Sequence, residues 1–95
     1  MDDDAFDWDD DKRKRNRAKH DVDFELIHDF EWDAAVTRED VRLEYSEVRY
    51  VSIGPVYGRL YVVVWTVREG RQRLISMRKA NAREGGLYER AKELH

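Results

Sequence analysis

Cysteine is absent from this chain, which excludes a disulfide framework, a thiol nucleophile and any thiolate metal site. Proline occurs once, at Pro55, and no Ser/Pro/Gly-rich stretch or internal repeat divides the 95 residues. The longest apolar run, Leu60–Trp65, has six residues, far short of the ~20 a membrane helix needs. The first residues hold no apolar stretch of the kind a secretory signal requires, so the expected compartment is the cytoplasm. The expected organisation is one domain over 1–95, with 1–5 as a flexible acidic leader.

The chain has aromatics and charge instead. Three Phe, three Trp and five Tyr oppose wholesale disorder. Charged residues make up 41% of the chain, yet the net charge is only −3, because the signs are sorted into blocks. Residues 1–11 carry −7, 12–19 carry +6, 20–47 carry −8 and 48–95 carry +6. Without the aspartate-rich start, residues 12–95 are net +4. Such blocks suit a polyanion binder with acidic counterparts elsewhere; the plainer alternative is a solvated surface of mixed sign.

Periodicity predicts an α+β domain: two short N-terminal helices, an antiparallel meander of three to four strands, and a C-terminal helix. Phe6 and Trp8 alternate with Asp7 as in a short strand over Ala5–Trp8. Asp9 is placed to cap a helix whose body is the basic run Lys12–Lys19. Asp21 or Asp23 caps a second, two-turn helix that buries Phe24, Ile27 and Phe30. Val41, Leu43 and Tyr45 alternate as a strand. Residues 48–53, ended by Gly54-Pro55, then 60–67 and 71–77 form the meander, with 60–67 at the sheet centre and a tight turn at Glu69-Gly70. The last helix carries its stripe on Leu87, Ala91 and Leu94, weakened by Gly85-Gly86.

No metal or cofactor is expected. His20, His28 and His95 form no His-Glu-x-x-His pair, Asp2–Asp4 lack a matching ligand set, no Gly-rich phosphate loop follows a strand, and no serine sits in a nucleophile elbow. What remains is cationic and imidazole chemistry. Lys19-His20 ends the basic helix, Arg78-Lys79 ends the last strand, and Arg49, Arg71 and Arg73 belong to neighbouring strands. If these converge, they suit cleavage of RNA without metal: the substrate's 2′-hydroxyl attacks the adjacent phosphate while a base takes its proton and cations stabilise the transition state. His20 is the natural proton acceptor, with an ordinary pKa of about 6.5. Taken singly, His20 equally reads as a helix C-terminal residue on the dipole, and the arginines as exposed strand residues paired with Glu44, Glu47 or Glu69.

The stretch FDWDDDKRKRNRAKHDVDF (Phe6–Phe24) resembles the N-terminal motif of the BrnT family of ribonuclease toxins, Phe-x-Trp-Asp-x-x-Lys-x-x-x-Asn-x-x-Lys-His-Gly-Val-x-Phe. Arg42, Tyr45, Glu47 and Arg49 match further family positions, RLISMRKANARE (Arg73–Glu84) looks like its second motif, and Tyr88 follows. The resemblance implies a RelE-like α+β fold and the toxin of a type II toxin–antitoxin module, which cleaves RNA and stops translation and growth. It implies a cognate DNA-binding antitoxin, in complexes of two copies of each, with operator DNA reached only through the antitoxin and no membrane partner.

Carried over by residue, the resemblance gives Lys19, His20, Arg49, Arg73, Arg78 and Lys79 as catalytic. Proton transfer falls to His20 or Lys19, and phosphate stabilisation to the arginines and Lys79. Trp8, Lys12, Asn16, Arg71 and Glu84 are the RNA-binding or supporting set, with Trp8 either stacking on a base or packing beside Phe6. Asp21 replaces the family's glycine after His20; it either raises the His20 pKa and holds the ring, or hinders RNA. Gly85-Gly86 and Ser46 are further departures. The competing function is a catalytically weak RNA-binding or corepressor module acting only with its antitoxin.

Overall fold

The structure is a computed structural model that describes residues 5–41 and 46–94. Strands β1 (Phe6–Trp8), β2 (Val36–Asp40), β3 (Arg49–Val56), β4 (Arg59–Arg68) and β5 (Arg71–Lys79) form one sheet in the order β1-β5-β4-β3-β2. Helix α1 (Asp10–His20) follows β1, 3₁₀ segments Phe24–Asp29 and Trp32–Ala34 lead to β2, and α2 (Ala82–Glu93) closes the chain. The α+β class, the central place of β4 and the Glu69-Gly70 turn are as expected.

The sheet departs from the expected meander in two ways. Among the described residues it has five strands rather than three to four, and it is mixed: β1 pairs parallel to β5, with Phe6 opposite Gln72 and Trp8 opposite Leu74. The Val36–Asp40 strand escaped the sequence reading because its middle three residues are exposed, so no apolar alternation marks it. The strand expected on Val41, Leu43 and Tyr45 falls mostly outside the described residues; Val41 itself lies beyond β2 and is exposed.

β3 also runs on through Gly54-Pro55 to Val56. Pro55 is tolerated because β2 ends opposite Ile53, so no ladder bond is lost on that side; its carbonyl accepts from the Glu31 amide at 3.0 Å. Gly54 permits a close approach, since a β-carbon there would stand 2.7 Å from the Phe30 ring.

One face of the sheet carries the core: Phe24, Ile27, Phe30, Val56, Val63, Leu74 and Met77 pack together with Val22, and Phe6, Trp8, Trp32 and Trp65 close its rim. Each such buried apolar side chain contributes roughly 1.5–3 kcal/mol. Leu74 and Met77 are three residues apart in one strand, a spacing that strict alternation forbids. A β-bulge resolves this: Trp65 pairs with Leu74 but Val64 with Ser76, leaving Ile75 as an extra residue. The bulge sets Arg73, Ile75, Ser76 and Arg78 together on the opposite face.

Helix α2 does not use the expected stripe. Leu87 is 39% and Leu94 85% exposed, while Tyr88 is buried and its hydroxyl donates to the Ala34 carbonyl at 2.7 Å. The helix packs against β2 and β3 through this side because one long ring with a hydrogen-bonded tip outweighs the smaller apolar contacts.

Candidate functional site

Helix α1 is fixed as its sequence requires. Asp9 accepts from the Lys12 amide at 3.1 Å, Asp10 and Asp11 occupy the first turn, and Arg17, Lys19 and His20 the last. Lacking an apolar face, the helix docks through Asn16. β1 covers the edge of β5 only as far as Leu74, and Asn16 takes over beyond it. Its carboxamide donates to the Met77 and Val22 carbonyls at 2.8 and 2.9 Å and accepts from the Met77 amide at 3.1 Å. An asparagine thus completes the strand edge, and this lays the basic side of α1 beside the bulge.

Two hollows result. Lys12, Arg15, Asn16, Lys19, His20, Ile75 and Ser76 line the first, of 280 Å³. The second, of 390 Å³, is walled by Lys12, Glu47, Arg49, Thr66, Arg68 and Arg73. They adjoin at Lys12 and Ile75 and form one groove.

Ion pairs hold most of its guanidinium groups. Arg73 meets Asp7 at 2.6 Å, Arg68 meets Glu47 at 2.8 Å, and Arg49 stands 3.8 Å from Glu47. Beside the groove, Arg78 grips Glu84 with two hydrogen bonds of 2.8 and 2.6 Å. The Arg78 guanidinium holds the Glu84 carboxyl at a pKa of about 2. Burial pushes the His20 imidazole below its ordinary value, and the charges of Lys19 and Arg78 push the same way. A neutral ring able to accept a proton at pH 7 is the outcome. The shift is downward and Asp21 is not among its causes, against one sequence reading: Asp21 is exposed and holds the left-handed conformation (φ 58°) that ends the helix.

The groove therefore unites Lys12, Lys19, His20, Arg49 and Arg73, with Arg78 close enough to act on His20. Asn16 lines the first hollow with its carboxamide spent on backbone groups; the other sequence-derived residues lie elsewhere. Lys79 is exposed and, by strand alternation, on the core side of β5. Arg71 donates to the Phe6 carbonyl at 3.0 Å. Trp8 packs on Phe24 at the core rim and lines a separate hollow with Phe6 and His28. Glu84 is tied into backbone, in a capping box with Asn81. Sequence reasoning missed Arg68 and Arg15 as groove residues; the signal for Arg68 was its even spacing from Thr66, which pairs with Arg73. Among the described residues, no three His, Asp or Glu side chains gather into a metal-binding group, and no helix is long and apolar enough to cross a membrane.

The family model of the ribonuclease toxin BrnT of type II toxin–antitoxin systems matches residues 8–84, a span that contains every groove residue. The chain belongs to the BrnT ribonuclease toxin family. No curated protein matches it. Membership in a type II family implies an antitoxin partner. The αL conformation at Asp21 is one that glycine adopts at a helix end without strain.

Proposed function

We propose that this BrnT chain is a metal-independent endoribonuclease whose reaction takes place in the groove between α1 and the bulged face of β5. The ribose 2′-oxygen attacks the adjacent phosphorus, its proton passes to the neutral His20 ring, and the bond from phosphorus to the 5′-oxygen breaks. Lys19, at the same helix end, returns a proton to the leaving oxygen. The products are a 2′,3′-cyclic phosphate and a 5′-hydroxyl. Arg49, Arg73 and Arg78 offer planar, permanently charged donors to the phosphorane-like transition state, and Lys12 holds a flanking phosphate.

The observation that carries this reading is that the bulge at Ile75 sets the strand arginines on the face where α1 delivers an imidazole held neutral by burial and by neighbouring cations. In the cell such an activity would act on RNA in the cytoplasm and halt translation, and a DNA-binding antitoxin, two copies with two toxins, would neutralise it.

The test is incubation of the purified chain with RNA in excess EDTA. Undiminished cleavage with 2′,3′-cyclic ends is expected; no cleavage in the presence or absence of EDTA overturns the reading. The second reading, an RNA-binding or corepressor module without turnover, is favoured by the ion pairs that already occupy Arg73 and Arg78. RNA binding with a steep salt dependence and no cleavage would establish it.

A further inference from the structure

Glu47 is a charged groove residue that the proposed reaction does not use. It lies on a bend just ahead of β3, outside the ladder, and its carboxylate points into the cluster of groove arginines. It accepts from Arg68 Nη2 at 2.8 Å and lies 3.8 Å from Arg49 Nη2, while the Arg73 charge also bears on it. These cations hold its pKa below the usual carboxylate range, Arg68 most of all, so it is an anion at neutral pH and a poor proton acceptor.

A carboxylate and a phosphodiester present similar paired oxygens to a guanidinium fork. We propose that the Glu47 carboxylate occupies the seat of a substrate phosphate between Arg68 and Arg49, so that RNA binds by displacing it and Arg68 becomes a phosphate ligand. The inference rests on the reading that this groove binds RNA.

Three features make Glu47 the displaceable member. Its pair with Arg68 is open to water, with the Arg68 side chain 50% exposed, and such pairs hold weakly. Its departure breaks no strand hydrogen bond. Among the described residues, the other carboxylates in or beside this hollow are held by backbone structure: Asp7, paired with Arg73, lies in the β1–β5 ladder, and Asp9 caps α1. Once Glu47 leaves, Lys12, Arg49, Arg68 and Arg73 face the incoming anion together.

Fluorescence anisotropy with a 2′-O-methyl RNA oligonucleotide, which lacks the attacking hydroxyl, tests this at several salt concentrations. Glu47→Gln is expected to bind about fivefold tighter than the natural chain, and Arg68→Gln about tenfold weaker with a salt slope smaller by about one. In the Arg68→Gln background the gain from Glu47→Gln shrinks below about twofold. A carboxylate that merely orders the arginines gives the opposite sign, so equal or weaker binding by a folded Glu47→Gln overturns the proposal. Arg68 lies exposed at a strand end, and unchanged binding by Arg68→Gln overturns it independently of how Glu47→Gln folds. A natural chain that neither binds this probe nor cleaves RNA overturns both this inference and the ribonuclease reading; one that binds, with the variants unchanged, overturns this inference alone.

Discussion

Asn16 acts as the strand partner that Met77 lacks: one carboxamide donates to the Met77 carbonyl at 2.8 Å and accepts from its amide at 3.1 Å. Asn16→Ala leaves these groups and the Val22 carbonyl buried without partners. The expected loss is about 2–4 kcal/mol, read as a lower urea midpoint. Cleavage per folded molecule should hold up better than in a His20 variant; an equal fall would assign Asn16 to RNA instead of to the frame.

The Arg78–Glu84 pair predicts an acid limb. Glu84 has a folded pKa of about 2, well below its unfolded value near 4.5, so its contribution is complete above pH 4.5 and is lost as pH falls toward 2. With the partly exposed Arg78 screening the pair, the contribution is roughly 2 kcal/mol. Glu84→Gln should lower stability at pH 7 by a similar amount and flatten the stability profile between pH 4.5 and 2, as followed by circular dichroism. An unchanged profile would show that the pair adds nothing.

His20 titrates below its ordinary 6.5, and the proposed base is its neutral form, so kcat/KM should rise through a midpoint below pH 6.5 and level off above it. His20→Ala should reduce cleavage by about 10²–10⁴-fold and remove that limb, with thermal unfolding little changed. A rate that instead falls with rising pH across this range would give the ring the role of acid.

Three backbone substitutions should stabilise the chain. Asp21 holds φ 58°, so Asp21→Gly is expected to raise the unfolding midpoint by the equivalent of about 0.5–1 kcal/mol. Nothing lies within 4 Å of a β-carbon at Gly85 or Gly86. Gly85→Ala and Gly86→Ala in α2 should each add about 0.8–1 kcal/mol. Calorimetry of the three single variants checks these values one by one.

Local rules made much of the fold readable. The Asp9 cap, the basic body of α1, the centrality of β4 and the Glu69-Gly70 turn all follow from neighbours in sequence, and of the two caps open before the Phe24–Asp29 segment the structure uses Asp23 rather than Asp21. What escaped depends on distant pairing. Nothing within Phe6–Trp8 says that it joins β5 in parallel, and Val36–Asp40 becomes a strand through its ladder with Arg49–Ile53. The same division holds in the groove. His20, Lys19, Arg49 and Arg73 were named from residue chemistry and family motif, whereas Arg68 and the anchoring role of Asn16 needed the register. Lys79 went the other way: its charge suggested the groove, but strand alternation sets it across the sheet from Arg78.

The single extra residue at Ile75 has a consequence that no side chain's chemistry expresses. It shifts the phase of β5 midway, so that both ends of the strand are read in the correct frame: Arg73 and Arg78 toward the groove, Leu74 and Met77 toward the core. Were the bulge ironed out with every residue kept, strict alternation over the five-residue step from Arg73 to Arg78 and the three-residue step from Leu74 to Met77 would drive one guanidinium into the apolar layer and turn one core side chain out to water. The groove is thus specified by how many residues lie between its cations as much as by which residues they are.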